Sequence, residues 1–353
     1  MAVARIKSRY FNLIQSLNNC IVKFKMLYSR FEANKSRREV IKRKGKKVVN
    51  RQIMRSIKKY SKKRFGTRVY WPYLALYTEI RGQFMEGWLP DDYFRYILVP
   101  QISSAAAVGI SEYKTFDYQI FGDFALKPLF VFISGMFLNA EFDAVAEEKV
   151  KKTLQEYDDT IVVKEDRGIQ GAQVLIIHSS EFKTETLLPG RSYVIQPYVK
   201  QHKAMSDLYS DSVNTLRVAT FIANDGSVLV KFVILRFGID GSKVDNISAG
   251  GQYIYFDAEG KPSKSAYSKM GVDVGERHKN SGYRFADLKI PMFQEVLKAC
   301  ISAHKKYPYD RLVGWDVCIS ESGKPLLLEW NTNPGFRTFE SVFGPFFPDD
   351  DIV

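Results

Sequence analysis

Two acids near the C-terminus, Asp316 and Glu329, are the residues whose spacing most directly suggests chemistry. They sit on the arms of a predicted hairpin, LVGWDVCIS-ESGK-PLLLEWN. With Ser322-Gly323 as a two-residue loop, Asp316 falls directly across from Glu329. Opposed Cβ atoms lie ~4.5–5.5 Å apart, and like charges there repel. Trp315, Val317, Leu328 and Trp330 take the other face and read as core, while Asn331 returns to the carboxylate face. Two carboxylates and an amide oxygen therefore converge, with no Lys or Arg expected on the adjoining strand segments to neutralise them. A hard divalent cation would do so. Mg²⁺ favours oxygen ligands, few protein carboxylates, and phosphates or waters in its remaining positions. The other reading is a pair of solvated carboxylates on an exposed strand face.

A second constellation is VVKEDRGIQGAQVLII, in which Lys164 ends a β-rich run and Gly168 and Gly171 precede another strand. Glycines let the backbone approach phosphate oxygens, and successive amides form an anion-binding concavity. Lys164 could reach such phosphates as a point charge, although a plain hairpin with a surface lysine has the same pattern. It is neither a Walker nor a Rossmann fingerprint, since no helix follows. A third set is Asn214, Thr215 and Arg217 in SVNTLRVATF with Arg236, Asp245, Asn246, Gly250 and Gly251 in LRFGIDGSKVDNISAGGQYIYF. If Asp225-Gly226 is the loop between them, Arg217 lies opposite Ile234 and shares a face with Arg236. A three-residue loop would reverse that parity. Two arginines in an apolar strand pair need anions, either from Asp or Glu side chains or from a phosphate and a carboxylate.

These residues need strands to hold them. TIVVK, Val174–Ile177, YVIQPYV, TLRVATFIA and SVLVKFVILRF read as strands, the last two flanking the hairpin signal Asn224-Asp225-Gly226. Residues 291–306 place Phe293, Val296, Leu297, Cys300 and Ile301 on one helix face, ended before Pro308, and 143–157 reads as a second amphipathic helix. Upstream, the aromatic stretch from Tyr70 to about Ala140 reads as helices broken at Leu89-Pro90-Asp91-Asp92, with FGDFALKPLFVFISGMFLNAEF as packed core.

Residues 1–70 hold 22 Lys and Arg against 2 Asp and Glu, leaving 30 against 37 for the rest. A basic N-terminal appendage thus precedes a mildly acidic body. In it, Ile6, Tyr10, Leu13, Leu17, Ile21, Phe24, Tyr28 and Phe31 form one helical stripe, and Val49, Ile53 and Ile57 a second, weaker one. The stripe would pack on the body or on another copy, or lie on an anionic membrane surface. Nucleic acid is the disfavoured partner, because the body is acidic and no known nucleic-acid reader is present. No apolar run is long enough for a transmembrane helix, and the start lacks the apolar core of a secretory signal. Cys20, Cys300 and Cys318 are too scattered for a disulfide framework or zinc site, so a reducing cytoplasm is expected.

Taken together, the motifs resemble the ATP-grasp superfamily over about residues 115–345. Their order is strand-Lys, glycine turn, a strand ending Gln-Pro-Tyr-Val, a Thr-Leu-Arg strand, an Arg strand, Asp-Asn then Gly-Gly, and Asp with Glu-x-Asn on a last hairpin. The section from SVNTLRVATF to LLEWNTNPG looks most like the sugar-transfer-associated branch and is similar to glutamate-ligase-like proteins. The resemblance implies an α+β ATP-grasp fold, two lobes with antiparallel sheets clasping ATP, preceded by the basic helical region. It implies four parts: 1–68 basic and helical, 69–150 mainly helical, 151–210 the small lobe with lid and hinge, and 211–347 the large lobe. It also implies that Lys164 contacts the ATP phosphates under a Gly168–Gly171 lid. Gln196, Pro197, Tyr198 and Val199 match the adenine hinge, and Asp316, Glu329 and Asn331 the Mg²⁺ ligands. Arg236 matches the arginine that steadies the transferred phosphoryl group, with Arg217 beside it, and Asn246 with Gly250-Gly251 the loop at the acyl-phosphate site. The family's earlier phosphate lysine has Lys127 as its nearest candidate, and its ribose acid has only His202 or Asp207.

The implied activity is ligation of a small-molecule or saccharide carboxylate to an amine through an acyl phosphate. By the same branch resemblance, it would modify a cell-surface polysaccharide or its precursor with an amino acid, at the inner face of the membrane. The alternatives are a small-molecule kinase on the same fold and a non-catalytic nucleotide-binding, membrane-associated protein.

Overall fold

The computed structural model describes residues 2–104, 108–167, 174–332, 334–335 and 337–347, with side chains from residue 16 onward except at 337. The chain divides into two compact units, Met1–Gln101 with Gly335–Val353, and Ile102–Pro334.

The first unit is helical. α1 (Ala2–Lys44) contains no proline or glycine and stops at Gly45, whose φ of 61° ends the helix. α2 (Arg51–Phe65) is capped by Asn50, whose side chain accepts from the Ile53 amide at 2.9 Å. α3 (Trp71–Arg81) is buried along most of its length and forms the centre of the unit. A short helix, α6 (Arg337–Phe343), returns to it, and the backbone carbonyl of buried Glu340 accepts from Trp88 Nε1 at 3.0 Å. Within α1 the side that packs is Met26, Ala33 and Val40, fixed by Arg30 to Asp92 and Arg37 to Glu79. The apolar stripe read from the sequence is not that side. Its described members, Leu17, Ile21, Phe24, Tyr28 and Phe31, are exposed, on the side of α1 away from Met26, Ala33 and Val40.

The second unit carries two antiparallel sheets. The smaller has the order β3-β2-β1-β6-β4-β5, from β1 (Phe130–Ile133), β2 (Met136–Leu138), β3 (Ala144–Val145), β4 (Thr160–Glu165), β5 (Val174–His178) and β6 (Tyr193–Pro197). Its first strands thus lie in the stretch expected to be packed core, before residue 151. α4 (Glu147–Tyr157) presses Val150 and Leu154 against Phe130, Ile161, Val163 and Ile195. The larger sheet has the order β11-β10-β9-β8-β7-β12-β13. Its site-bearing strands are β7 (Thr215–Ile222), β8 (Val228–Phe237), β12 (Leu312–Ile319) and β13 (Pro325–Asn331), with β9 (Gln252–Phe256), β10 (Ala266–Ser268) and β11 (Val272–Gly275) beyond. α5 (Phe293–Lys306) covers one face through Val296, Leu297, Cys300 and Ala303, and Trp315 and Trp330 stack beneath at 6.0 Å.

Both long hairpins use the same device. Each has a three-residue loop, 224–226 and 321–323, closed by Gly226 or Gly323 at positive φ, instead of the expected two residues. That loop shifts the register near the turn by one. A bulge between Ala219 and Thr220, and another between Asp316 and Val317, shifts it back. Asp316 therefore still faces Glu329, and Arg217 still faces Ile234. The bulge leaves Leu328 as the extra residue of β13, turned out of the core face where it was expected, and it lines the cleft.

Candidate active site

A cleft of about 230 Å³ is lined by residues from both sheets of the second unit. Leu126, Val162, Ile176, Val199 and Leu328 give it apolar walls, and Gln196–Val199 form one rim. Lys114, Lys164, Arg236, Asp245, Asp316 and Glu329 supply the charge. Apolar walls with a few convergent polar groups are what a heteroaromatic ligand with a charged tail requires.

Asp316 is the most constrained of these side chains. It is 4% exposed, accepts from both Nε and Nη2 of Arg217, and accepts from Arg236 Nη2 at 3.0 Å. The expectation of an un-neutralised carboxylate pair is therefore overturned. β7 is the neighbour of β12 and sets Arg217 directly opposite Asp316. Burial alone would raise the Asp316 pKa, but the two guanidinium groups outweigh it and hold the carboxyl below the usual range. Gly314 makes room for this pair, since a Cβ there would lie 3.2 Å from Arg217 Cδ and 2.7 Å from Pro334. Arg236 also donates to Thr215 Oγ1 at 2.7 Å and sits 3.6 Å from Asp245, which bonds Thr215 in turn. Among the described residues no partner takes Nη1 of Arg236, which leaves two N–H donors for a ligand.

Glu329 is different. Its side chain is 44% exposed, and its nearest cation is Lys114 Nζ at 4.0 Å. Lys164 is half-buried in the cleft wall, and loss of solvent lowers its pKa, opposed by the charges of Glu329 and Asp117. Such a lysine gains from an arriving polyanion. Asp117 is also buried, accepts from Trp330 Nε1 at 2.8 Å, and is pushed up to about 7 by that burial. A carboxyl with a raised folded pKa costs stability as pH rises from about 4 to 7 and no more beyond. Asp117→Asn keeps an acceptor for Trp330 and is expected to remove that fall, on the order of a few kcal/mol. Thermal melts of both proteins across this range check it, and identical slopes would refute the assignment.

Several expected residues lie elsewhere. Lys127 is on the surface, paired with Glu141 at 2.8 Å, and does not line the cleft. Lys114, which no motif signalled, lines it instead. Asn246 caps a short turn through the Ser248 amide and is absent from the lining, whereas Asp245 is part of it. Gly251 is required there, because a Cβ would fall 2.4 Å from the Asp245 carbonyl oxygen. His202 caps the turn at Ala204, and Asp207 pairs with Lys203, so neither faces the cleft. Gly168 and Gly171 lie outside the described residues. On the reading that the cleft takes ATP, Lys114→Met is expected to raise the KM for ATP about tenfold or more, the worth of a charged phosphate contact, while Lys127→Met leaves it unchanged. Initial rates against ATP concentration decide between the two lysines.

The donor set fits a phosphate-borne Mg²⁺. Among the described residues no three His, Cys, Asp or Glu groups gather to hold a metal. Glu329 offers free oxygens to the cleft, Asp316 opposite keeps one unused lone pair beside three accepted bonds, and Asn331 ends the same strand. One carboxylate with partial help suits a cation whose remaining positions are phosphate oxygens and water.

Two antiparallel sheets within residues 102–334, one bearing Lys164 and Gln196 and the other Arg236, Asp316 and Glu329, together supply the cleft. Residues 184–345 match the family described as sugar-transfer associated ATP-grasp. Solved structures similar to the chain include N5-carboxyaminoimidazole ribonucleotide synthetase from Thermotoga maritima, at 12% identity and TM-score 0.38, covering 65% of this chain and 44% of that one. D-alanine–D-alanine ligase from Bacillus anthracis is similar at 16% and 0.39, covering 69% and 64%. Biotin carboxylase from Campylobacter jejuni is similar at 12% and 0.41, covering 71% and 46%. The chain spans less than two thirds of the length of each. No curated protein matches the sequence.

Proposed function

We propose that this chain is an ATP-dependent carboxylate–amine ligase working through an acyl phosphate. The observation that carries the reading is one cleft lined jointly by Lys114, Lys164, Glu329 and Arg236 beside an apolar slot rimmed by Gln196–Val199. The adenine would lie against Leu328, Ile176 and Val162, with the hinge Gln196, Pro197, Tyr198 and Val199 reading its edge. Lys164 and Lys114 would bind the phosphates. Glu329, Asn331 and the remaining lone pair of Asp316 would hold Mg²⁺, which when bound neutralises charge on the β- and γ-phosphates.

A substrate carboxylate oxygen would then attack the γ-phosphorus. The bond to the β-phosphate oxygen breaks, ADP leaves, and an acyl phosphate remains. An amine attacks the acyl carbon, phosphate departs, and the ammonium proton is lost to solvent or base. Arg236 Nη1 would stabilise the transferring oxygens, and Arg217 would act through Asp316 to hold that geometry. Asn246 with Gly250-Gly251 would shape the acceptor side. The acceptor proposed is a cell-surface polysaccharide or its precursor, the donor an amino acid. The basic region 1–68 would keep the enzyme at the inner face of an anionic membrane where lipid-linked intermediates lie.

Phosphate release screened over amino acids and sugar acids tests this, with hydroxylamine added to trap the intermediate. A hydroxamate that appears only with ATP and one carboxylate is the expected result. Phosphate transfer to a hydroxyl without hydroxamate would instead make the protein a kinase, and no stimulated turnover by any pair would overturn the enzymatic reading.

A further inference from the structure

Helix α1 carries two unlike faces. One packs into its own unit through Met26, Ala33 and Val40, with Ser29 bonded to Tyr73 at 2.7 Å. The opposite face, at about 3.6 residues per turn, bears Leu17, Ile21, Phe24, Leu27, Tyr28 and Phe31. Each is more than half exposed, Phe24 at 71% and Phe31 at 63%. Single exposed apolar side chains need no explanation, but a continuous run on one helix face marks an interaction surface.

The surrounding charge selects the partner. Lys23 and Lys25 are exposed and flank the face on its two sides, and exposed Lys35, Arg38 and Lys42 continue its line. No Asp or Glu occurs before Glu32. A second copy would set these like charges against each other. An anionic lipid surface would instead accept the apolar side chains at headgroup depth while the lysine stems reach back to phosphate. α2 adds Arg55, Lys58, Lys59, Lys62 and Lys63, and the turn after it Arg68, around a shallow surface pit, with Lys58 over the ring of Trp71.

We propose that α1 docks in the plane of an anionic membrane through the Leu17–Phe31 face, held by apolar insertion and not by charge alone. This rests on the reading that the basic region meets a membrane, and it names the face that does so. Cys20 lies beside the face and is exposed, while Cys300 and Cys318 are buried, so it takes a polarity-sensitive dye selectively.

The full-length protein labelled at Cys20 is mixed with vesicles of phosphatidylcholine, alone or with about one third phosphatidylglycerol. The expected result is a blue shift and co-sedimentation with the anionic vesicles only. Phe24→Glu combined with Phe31→Glu is expected to weaken that binding about tenfold or more, with an unchanged circular-dichroism spectrum. Binding at the parental level by the double variant would overturn the docking face yet leave charge-driven membrane binding standing. Absence of binding by the parent would overturn both readings. A reversible dimer lost in the double variant, with no vesicle binding, would assign the face to a second copy and likewise overturn the inference.

Discussion

Asp316→Ala is expected to lower folding stability by about 3–5 kcal/mol, the cost of leaving a buried charge partner unpaired, and to abolish stimulated phosphate release. The reason is the arrangement and not the lost side chain. Arg217 and Arg236 would both remain largely buried beside a void, with Thr215 and Asp245 left to compensate one of them. Asp316→Asn keeps the shape but removes the charge, and its loss should fall between parent and alanine. The acid side follows from the depressed carboxyl. Stability contributed by Asp316 is complete above the ordinary Asp range near pH 4 and is lost as pH falls below it. Urea unfolding at neutral and acid pH measures both effects. An alanine variant as stable as the parent at pH 7, with the same acid limb, would show that the arginines do not depend on this carboxylate.

Glu329→Gln should behave in the opposite way. Its side chain is half exposed and, among the described residues, its nearest ion-pair partner is Lys114 at 4.0 Å, so folding is expected to change by no more than about 0.5 kcal/mol. Stimulated phosphate release should fall by about 10²–10³, as for removal of one electrostatic stabiliser, with a higher Mg²⁺ requirement. Turnover at the parental level would remove Glu329 from the metal site. The contrast between the two acids is the sharper test, because the sequence treats them as equivalent partners across a hairpin. One is expected to support the architecture, and the other to act on the ligand.

Much of the cleft was legible because its parts are local. Strand alternation and turn residues place Asp316 against Glu329 and Arg217 against Ile234, and the observed register agrees. It agrees through two compensating shifts, a longer loop and a bulge in each hairpin, neither of which pattern alone specifies. Leu328 was misplaced for that reason, as the inserted residue of a bulge has no fixed face in an alternating strand. Lys114 had no signal at all. It stands on a single helical turn, Lys114–Phe116, and reaches the cleft only because the chain folds back against β6. Lys127 had the better local context and is exposed beside Glu141.

What residue order by itself determined here is strands β4 to β8, β12 and β13, the two hairpins among them, the basic N-terminal segment and the identities of the charged groups. These depend on periodicity and turn chemistry within short windows. The tertiary structure decided which charges meet. Arg217 and Asp316 are 99 residues apart and pair because β7 lies beside β12, a choice made by packing the whole sheet. The same holds for α1, whose period is visible in the sequence, while the face that is buried depends on where Tyr73, Glu79 and Asp92 stand.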